Sequence, residues 1–328
     1  MLLKLFKSNY PFVIFLIPFL GVALWIPSLL DIQLVNIRQL DLGYTTFAYN
    51  WLSGLLSFYP KSKIIFSLIL IIVQSYILIR INFKYIFIEN RTYLPAIFFV
   101  LFSSILVSYQ TLHPVLIANL FLLFAIEKSF VIDKERNKLK RYYESGLLLG
   151  LGTVFYPNIF IFIFIIWLTL IVLRTFNWRE WMTSILGLVT PLLFYISYLY
   201  LSGNFQQKIT EIPQIIFNTV KQISLSEMQI YILSLLGIIM FFMILGGIRL
   251  VSVKKINIRK YYWIYILFIL YIIGIFAFYP YMGYELIYII ALPVAIIFST
   301  SFLEIRSKWV GEILFTIILI AVFAVIWM

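Results

Sequence analysis

Reactive groups are scarce in this chain, so the candidates for chemistry are quickly named. There is no cysteine and only one histidine, His113, which excludes disulfides, thiolate ligands and thiol catalysis and leaves no histidine-based metal centre. The acidic residues that stand apart from the basic segments are Asp31, Asp41, Glu211, Glu227 and Glu285. A carboxylate within hydrogen-bond reach can take the proton of an attacking hydroxyl. Arg38 lies between the two aspartates, and its guanidinium matches phosphate geometry in a bidentate way. Near the other end of the chain, FYPYMGYE sets Tyr279, Tyr281 and Tyr284 beside Glu285. Aromatic rings there can stack on sugar faces while the carboxylate holds hydroxyls. The carboxylates are too scattered for a strong divalent-cation site, and no phosphate-cradling glycine loop stands between a strand and a helix, so no cofactor is expected.

The elements that must position these groups are apolar helices. Hydrophobic residues make up 63% of the 328 and charged residues 12%, against about 45–50% and about 25% in soluble domains. A spanning helix needs about 20 apolar residues, with roughly 17 workable. Spans fall near 11–30, 64–80, 94–109, 114–131, 143–157, 158–174, 183–202, 230–249, 263–280, 286–303 and 312–327, which predicts an all-α, polytopic membrane protein of 11 helices. The first run follows Lys4 and Lys7 and ends without a clear small-x-small cleavage site, so it reads as an uncleaved anchor. With the N-terminus in the cytoplasm, 20 of the 25 Lys and Arg fall on that side. Only Arg38, Lys61, Lys63, Lys208 and Lys221 fall outside, as the positive-inside rule requires of an N-in, C-out chain. The net charge of +12 is therefore a topological signal facing lipid headgroups, and nucleic acid is not an expected partner. No Asp, Glu, Lys or Arg lies mid-span, which weighs against ion-coupled transport.

Three segments shape the outer face. Residues 45–59 are short for a span, and Phe47, Trp51, Leu52, Leu55 and Phe58 follow helical spacing, which predicts an amphipathic helix on the outer leaflet. After Pro213, the run Ile215, Ile216, Phe217, Val220 and Ile223 predicts a second interfacial helix in the outer loop 203–229. Pro157-Asn158 interrupts a long apolar stretch and predicts a hairpin of two short spans, which keeps Arg174 and Arg179 inside. Two amphipathic elements on one face, flanking a few charges, make a roofed cavity suited to a lipid-linked substrate, or simply cover the bundle.

The order of elements resembles the polytopic glycosyltransferases of the C superfamily, which use polyprenyl-phosphate sugars as donors. The outer loop 31–63, carrying Asp31 and Asp41, looks like their large first loop. YQTLHPVLIANLFLLFAIEKSF (109–130) is similar to their short outer loop and following helix, although His113-Pro114 stands where an acidic residue frequently does. GLLLGLGTVFYP (146–157) resembles their Gly-rich helix with its terminal proline. The resemblance covers residues 1–203, and with 204–328 these form one membrane unit. The chain also looks like a polytopic family of Bacteroidota whose role is uncharacterised.

The resemblance implies sugar transfer from a polyprenyl-phosphate carrier to an acceptor on the extracytoplasmic face of the inner membrane. Asp41 is then the first choice as catalytic base, with Asp31 second; Arg38 would pair with the donor phosphate, and His113, Tyr284 and Glu285 would bind substrate. Each has a plainer reading. Asp41 also reads as a helix cap or a solvated loop charge, Asp31 as a span boundary, and Arg38 as a partner of either aspartate or of lipid. His113 also reads as a helix-start residue, and the tyrosines as interface anchors. The alternative function is a non-catalytic scaffold or lipid-handling component of an envelope assembly. The expected partners are a lipid-linked sugar donor and membrane lipids.

Overall fold

The computed structural model describes residues 2–7, 12–30, 46–59, 61–85, 87–88, 92–130, 137–173, 177–203, 205–217, 226–251, 256–305 and 307–327. Among these, every regular element is helical. A short α1 (Leu2–Lys7) precedes α2 (Phe12–Leu30), α3 (Phe47–Leu55) and α4 (Ser62–Tyr85). Then come α5 (Leu94–Ser103), α6 (Pro114–Ser129), α7 (Lys138–Phe155), α8 (Ile163–Leu173) and α9 (Trp178–Leu201). The chain closes with α10 (Phe205–Ile216), α11 (Glu227–Val251), α12 (Ile256–Phe278), α13 (Ile287–Glu304) and α14 (Lys308–Trp327). Among the described residues, seven helices are long and apolar enough to cross a membrane: α2, α4, α9, α11, α12, α13 and α14. Together they mark a helical, multi-pass, membrane-embedded protein.

Burial is uneven in the way a bundle requires. Every residue of α5 is buried, and α13 is almost as enclosed. By contrast α9 and α11 turn long apolar faces outward, among them Leu186, Leu193 and Phe194, and Tyr231, Ile238 and Phe242. The closest helix pair is α7 with α9. A Cβ added at Gly146 or Gly150 of α7 would run into the backbone of Ser184 or Leu188, and one at Gly187 of α9 into that of Tyr143. Only hydrogen side chains let two backbones meet at that distance.

Polar contacts sort the helix ends into two sets. At one end, which we call the basic end, Glu127 takes Arg80 and Lys84, and Glu144 takes Lys128. The Thr92 hydroxyl reaches the Phe6 carbonyl there, and Tyr262 that of Phe87. At the other, the tyrosine end, Thr46 donates to the Phe155 carbonyl and Asn158 to that of Tyr281. The 24 residues of α4 run between the two ends, a length of about 36 Å.

Several boundaries differ from the sequence expectation. The apolar stretch from 94 stops being helical at Ser103, where the hydroxyl of Ser104 accepts from the Trp25 indole and its carbonyl from Gln110. Gln110 satisfies backbone that has left the helix while Trp25 fixes the Ser104 side chain from α2, so the unwinding is supported by tertiary contacts. Helix α3 is shorter than the expected 45–59, with a turn of 3-10 helix at Leu56–Phe58. Helix α10 lies mostly before Pro213 and contains it; the proline sits in the last turn, where it costs a single intrahelical bond. Val220 and Ile223 lie outside the described residues. The interruption at Pro157 is present: Tyr156 is extended (φ −136°, ψ 99°), and Pro157–Phe162 continues as 3-10 helix into α8.

Candidate functional site

The tyrosine end is built around a buried carboxylate. Glu285 lies in the turn Tyr284–Leu286 between α12 and α13 and is 2% exposed. The hydroxyl of Tyr156 donates to one of its oxygens at 3.1 Å and that of Tyr109 to the other at 3.3 Å. Tyr156 comes from the break after α7, and Tyr109 from the turn Val107–Tyr109 between α5 and α6. The carboxylate thus ties three loops together. Tyr288 donates to the Tyr109 carbonyl and fixes that turn from the side of α13. Asn158 strengthens the clasp by donating to the Tyr281 carbonyl at 3.2 Å and accepting from the Tyr279 hydroxyl at 3.5 Å.

His113 caps α6. Its Nδ1 accepts from the Val115 N–H at 3.3 Å, and its ring stands edge-on to Tyr109, 5.3 Å between centroids. Burial pushes its pKa down to about 3, so the imidazole is neutral at physiological pH and acts as a hydrogen-bonding cap. A deeper layer lies behind it. Asn119 donates to the Gln74 side chain and to the Tyr288 carbonyl, both at 2.9 Å, and Gln74 donates to the Leu116 carbonyl. Ser28 donates to Gln110 at 2.6 Å. Gln110, which also donates to the Ser104 carbonyl, holds the stretch between α5 and α6 together.

Beside this cluster is a cavity of about 280 Å³. Its walls are Thr153, Val154, Pro157 and Phe160 around the break, and Leu188, Leu192, Tyr195 and Ile196 of α9. Residues 46 and 47 at the start of α3 and 211, 212, 215 and 216 of α10 complete it. Among the described residues of the lining, Glu211 is the one that carries a charge. Helix α3 is anchored rather than loosely laid: Tyr49 donates to the Leu112 carbonyl at 2.7 Å, and burial raises its phenol to about 12. Trp51 and Leu55 of α3, and Phe58 in the turn after it, face outward. The break at residues 153–160 is a shared wall, with Tyr156 reaching the carboxylate and its neighbours lining the cavity.

The candidate residues are distributed as follows. Asp31, Arg38 and Asp41 lie outside the described residues. His113 and Glu285 come together through Tyr109, which touches both. Glu285 is enclosed by its tyrosine partners and by its own turn, so a ligand reaches it only if that cluster moves. Tyr284 is half-buried with its ring 6.0 Å from Phe276. The residues that sequence reasoning did not single out are Tyr109, Tyr156, Gln74 and Asn119. Amides inside apolar spans were the available signal for the last two. No group of three or more His, Asp or Glu residues that could hold a metal ion occurs among the described residues.

Fold and site together define a multi-pass helical protein with an apolar cavity and a buried carboxylate at one end of its bundle. The chain belongs to DUF6427, a family of unknown function, whose model matches residues 51–327. That match takes in Tyr109, Tyr156, Glu285 and the whole cavity lining except Thr46 and Phe47; it begins downstream of Asp31, Arg38 and Asp41. No curated protein and no solved structure matches the chain.

Proposed function

We propose that the protein takes a lipid-linked substrate at the outer face of the bacterial inner membrane, with the substrate's hydrocarbon chain in the cavity between α7, α9 and α10. In this reading the chain crosses the membrane 11 times, N-terminus in and C-terminus out, so that the tyrosine end faces outward. The observation that carries it is the cavity: lined by α9, α10 and the break at residues 153–160 and walled almost wholly by apolar side chains, it suits a chain far better than a headgroup.

The reaction we infer is sugar transfer from a polyprenyl-phosphate carrier, as the resemblance over residues 1–203 implies. Asp41 accepts the proton of the acceptor hydroxyl as its oxygen bonds to the anomeric carbon. The bond from that carbon to the carrier phosphate breaks, and polyprenyl phosphate leaves with its charge facing Arg38. The second reading, a non-catalytic lipid-handling component, is favoured by one observation: the described candidates His113 and Glu285 are already engaged, as cap and as clasp.

Glycan profiling by mass spectrometry separates the two. The comparison is between wild type, a deletion, and the deletion complemented with Asp41→Asn at matched protein level. Sugar transfer requires loss of a defined envelope sugar in both mutants. Unchanged glycans in the deletion would remove the transferase reading, and a sugar restored by Asp41→Asn would remove Asp41 as its base.

A further inference from the structure

We propose that the basic end holds an anionic phospholipid, its phosphate at Arg80 and Lys84 and its acyl chain along the outward face of α4. The site is separate from the cavity and rests on the membrane-embedded fold alone. Ile65, Ile69 and Val73 are exposed on α4, half-buried Ile77 follows, and the same face then presents Arg80 and Lys84. Steps of three and four residues keep these side chains on one line of the helix. From Val73 to Arg80 is about 10 Å and from Ile65 about 22 Å, which brackets the half-thickness of about 15 Å that one leaflet's chain occupies. An apolar stripe ending in two cations has the form of a phospholipid's complement.

The cations are held in place for the task. Glu127 of α6, its side chain 7% exposed, accepts from Arg80 on one oxygen and from Lys84 on the other at 3.0 Å. The Arg80 guanidinium also stands over the Phe124 ring, 5.7 Å from its centroid, which orients its plane. One carboxylate between two cations leaves the pair a net positive charge. A guanidinium has five N–H donors and an ammonium three, so a shared Glu127 does not exhaust them. Arg80 keeps 59% of its side chain exposed and Lys84 49%. The arrangement repeats alongside, where Glu144 takes Lys128 at 2.5 Å and Lys140 at 4.0 Å. The adjoining apolar stripe selects a lipid phosphodiester over free phosphate.

Native mass spectrometry of the delipidated protein, titrated with phosphatidylglycerol, phosphatidylcholine or inorganic phosphate, tests the site. The wild type should hold phosphatidylglycerol about tenfold more tightly than phosphatidylcholine, since each basic side chain near a headgroup favours anionic lipid. That preference should vanish in Arg80→Gln/Lys84→Gln/Glu127→Gln, which removes the cations together with the carboxylate between them and strands no buried charge. Lys84→Gln alone, which leaves Arg80 to pair Glu127, should lower it part way. Equal binding of the two lipids by wild type, a preference retained in both variants, or inorganic phosphate competing the lipid away would each overturn the proposal.

Discussion

At the scale of single residues, Glu285 decides how the tyrosine end is held. A carboxylate this deeply placed is tolerable only with its oxygens paired, and Tyr109 and Tyr156 supply the pairing from positions 176 and 129 residues away in the chain. Removing either hydroxyl leaves part of that charge unpaired, at a cost of about 1–3 kcal/mol. Tyr156→Phe and Tyr109→Phe should each lower the melting temperature in detergent. Because both serve one acceptor group, their double variant should depart from the sum of the singles. Strict additivity would show that the two hydroxyls are not coupled through Glu285. Glu285 itself was legible in the sequence as an acidic residue in a tyrosine-rich turn. Its partners were not: with 23 tyrosines and no spacing rule linking remote loops, only the folded chain shows which two meet it. His113 was legible as a helix start before Pro114, and that is the role its geometry gives it.

At the scale of elements, proline and hydrophobic runs carried the reading, and tertiary hydrogen bonds limited it. The break at Pro157 was legible from the chain's own chemistry, because proline removes a donor and disfavours helix at the preceding residue, although Pro18, Pro27, Pro191 and Pro293 lie inside helices that continue through them. The end of α5 at Ser103 was not; there Ser104 takes the Trp25 indole, which no local window contains, and Gln110, whose bond back to the Ser104 carbonyl no periodicity announces. The α7–α9 contact lies between these cases. Its glycines were visible, but only the structure distinguishes those that meet backbone from those that meet nothing. Gly187→Ala should therefore destabilise the protein severely, since the added methyl strikes the backbone of Tyr143 and Leu147 and the helices must separate. Gly237→Ala on α11, with nothing within 4 Å, should be neutral or stabilising by up to about 1 kcal/mol through helix propensity. Thermal unfolding of the two purified variants checks the pair, and equal effects would contradict the packing described for α7 and α9.

At the scale of the whole molecule, two ends with opposite characters give the protein its polarity. The basic end gathers cations around Glu127 and Glu144, while the tyrosine end gathers aromatic anchors, the cap at His113 and the cavity. Such a division is what a membrane protein needs to be oriented by its charges and to work at one surface. The sequence offered two amphipathic segments that either roof a cavity or simply cover the bundle; the cavity draws its walls from α10, from the break already marked by Pro157, and from α9, which the sequence presented as an ordinary span. The most direct measurement is photocrosslinking of the purified protein with a photoreactive polyprenyl phosphate, with the labelled peptides mapped by mass spectrometry. A substrate chain in the cavity places the label on residues 153–160, 188–196 and 211–216, and Leu192→Trp, which fills the space, should reduce it about tenfold or more. Label absent from these three segments, or present there but unchanged by Leu192→Trp, would contradict a lipid-linked substrate held at this end of the bundle.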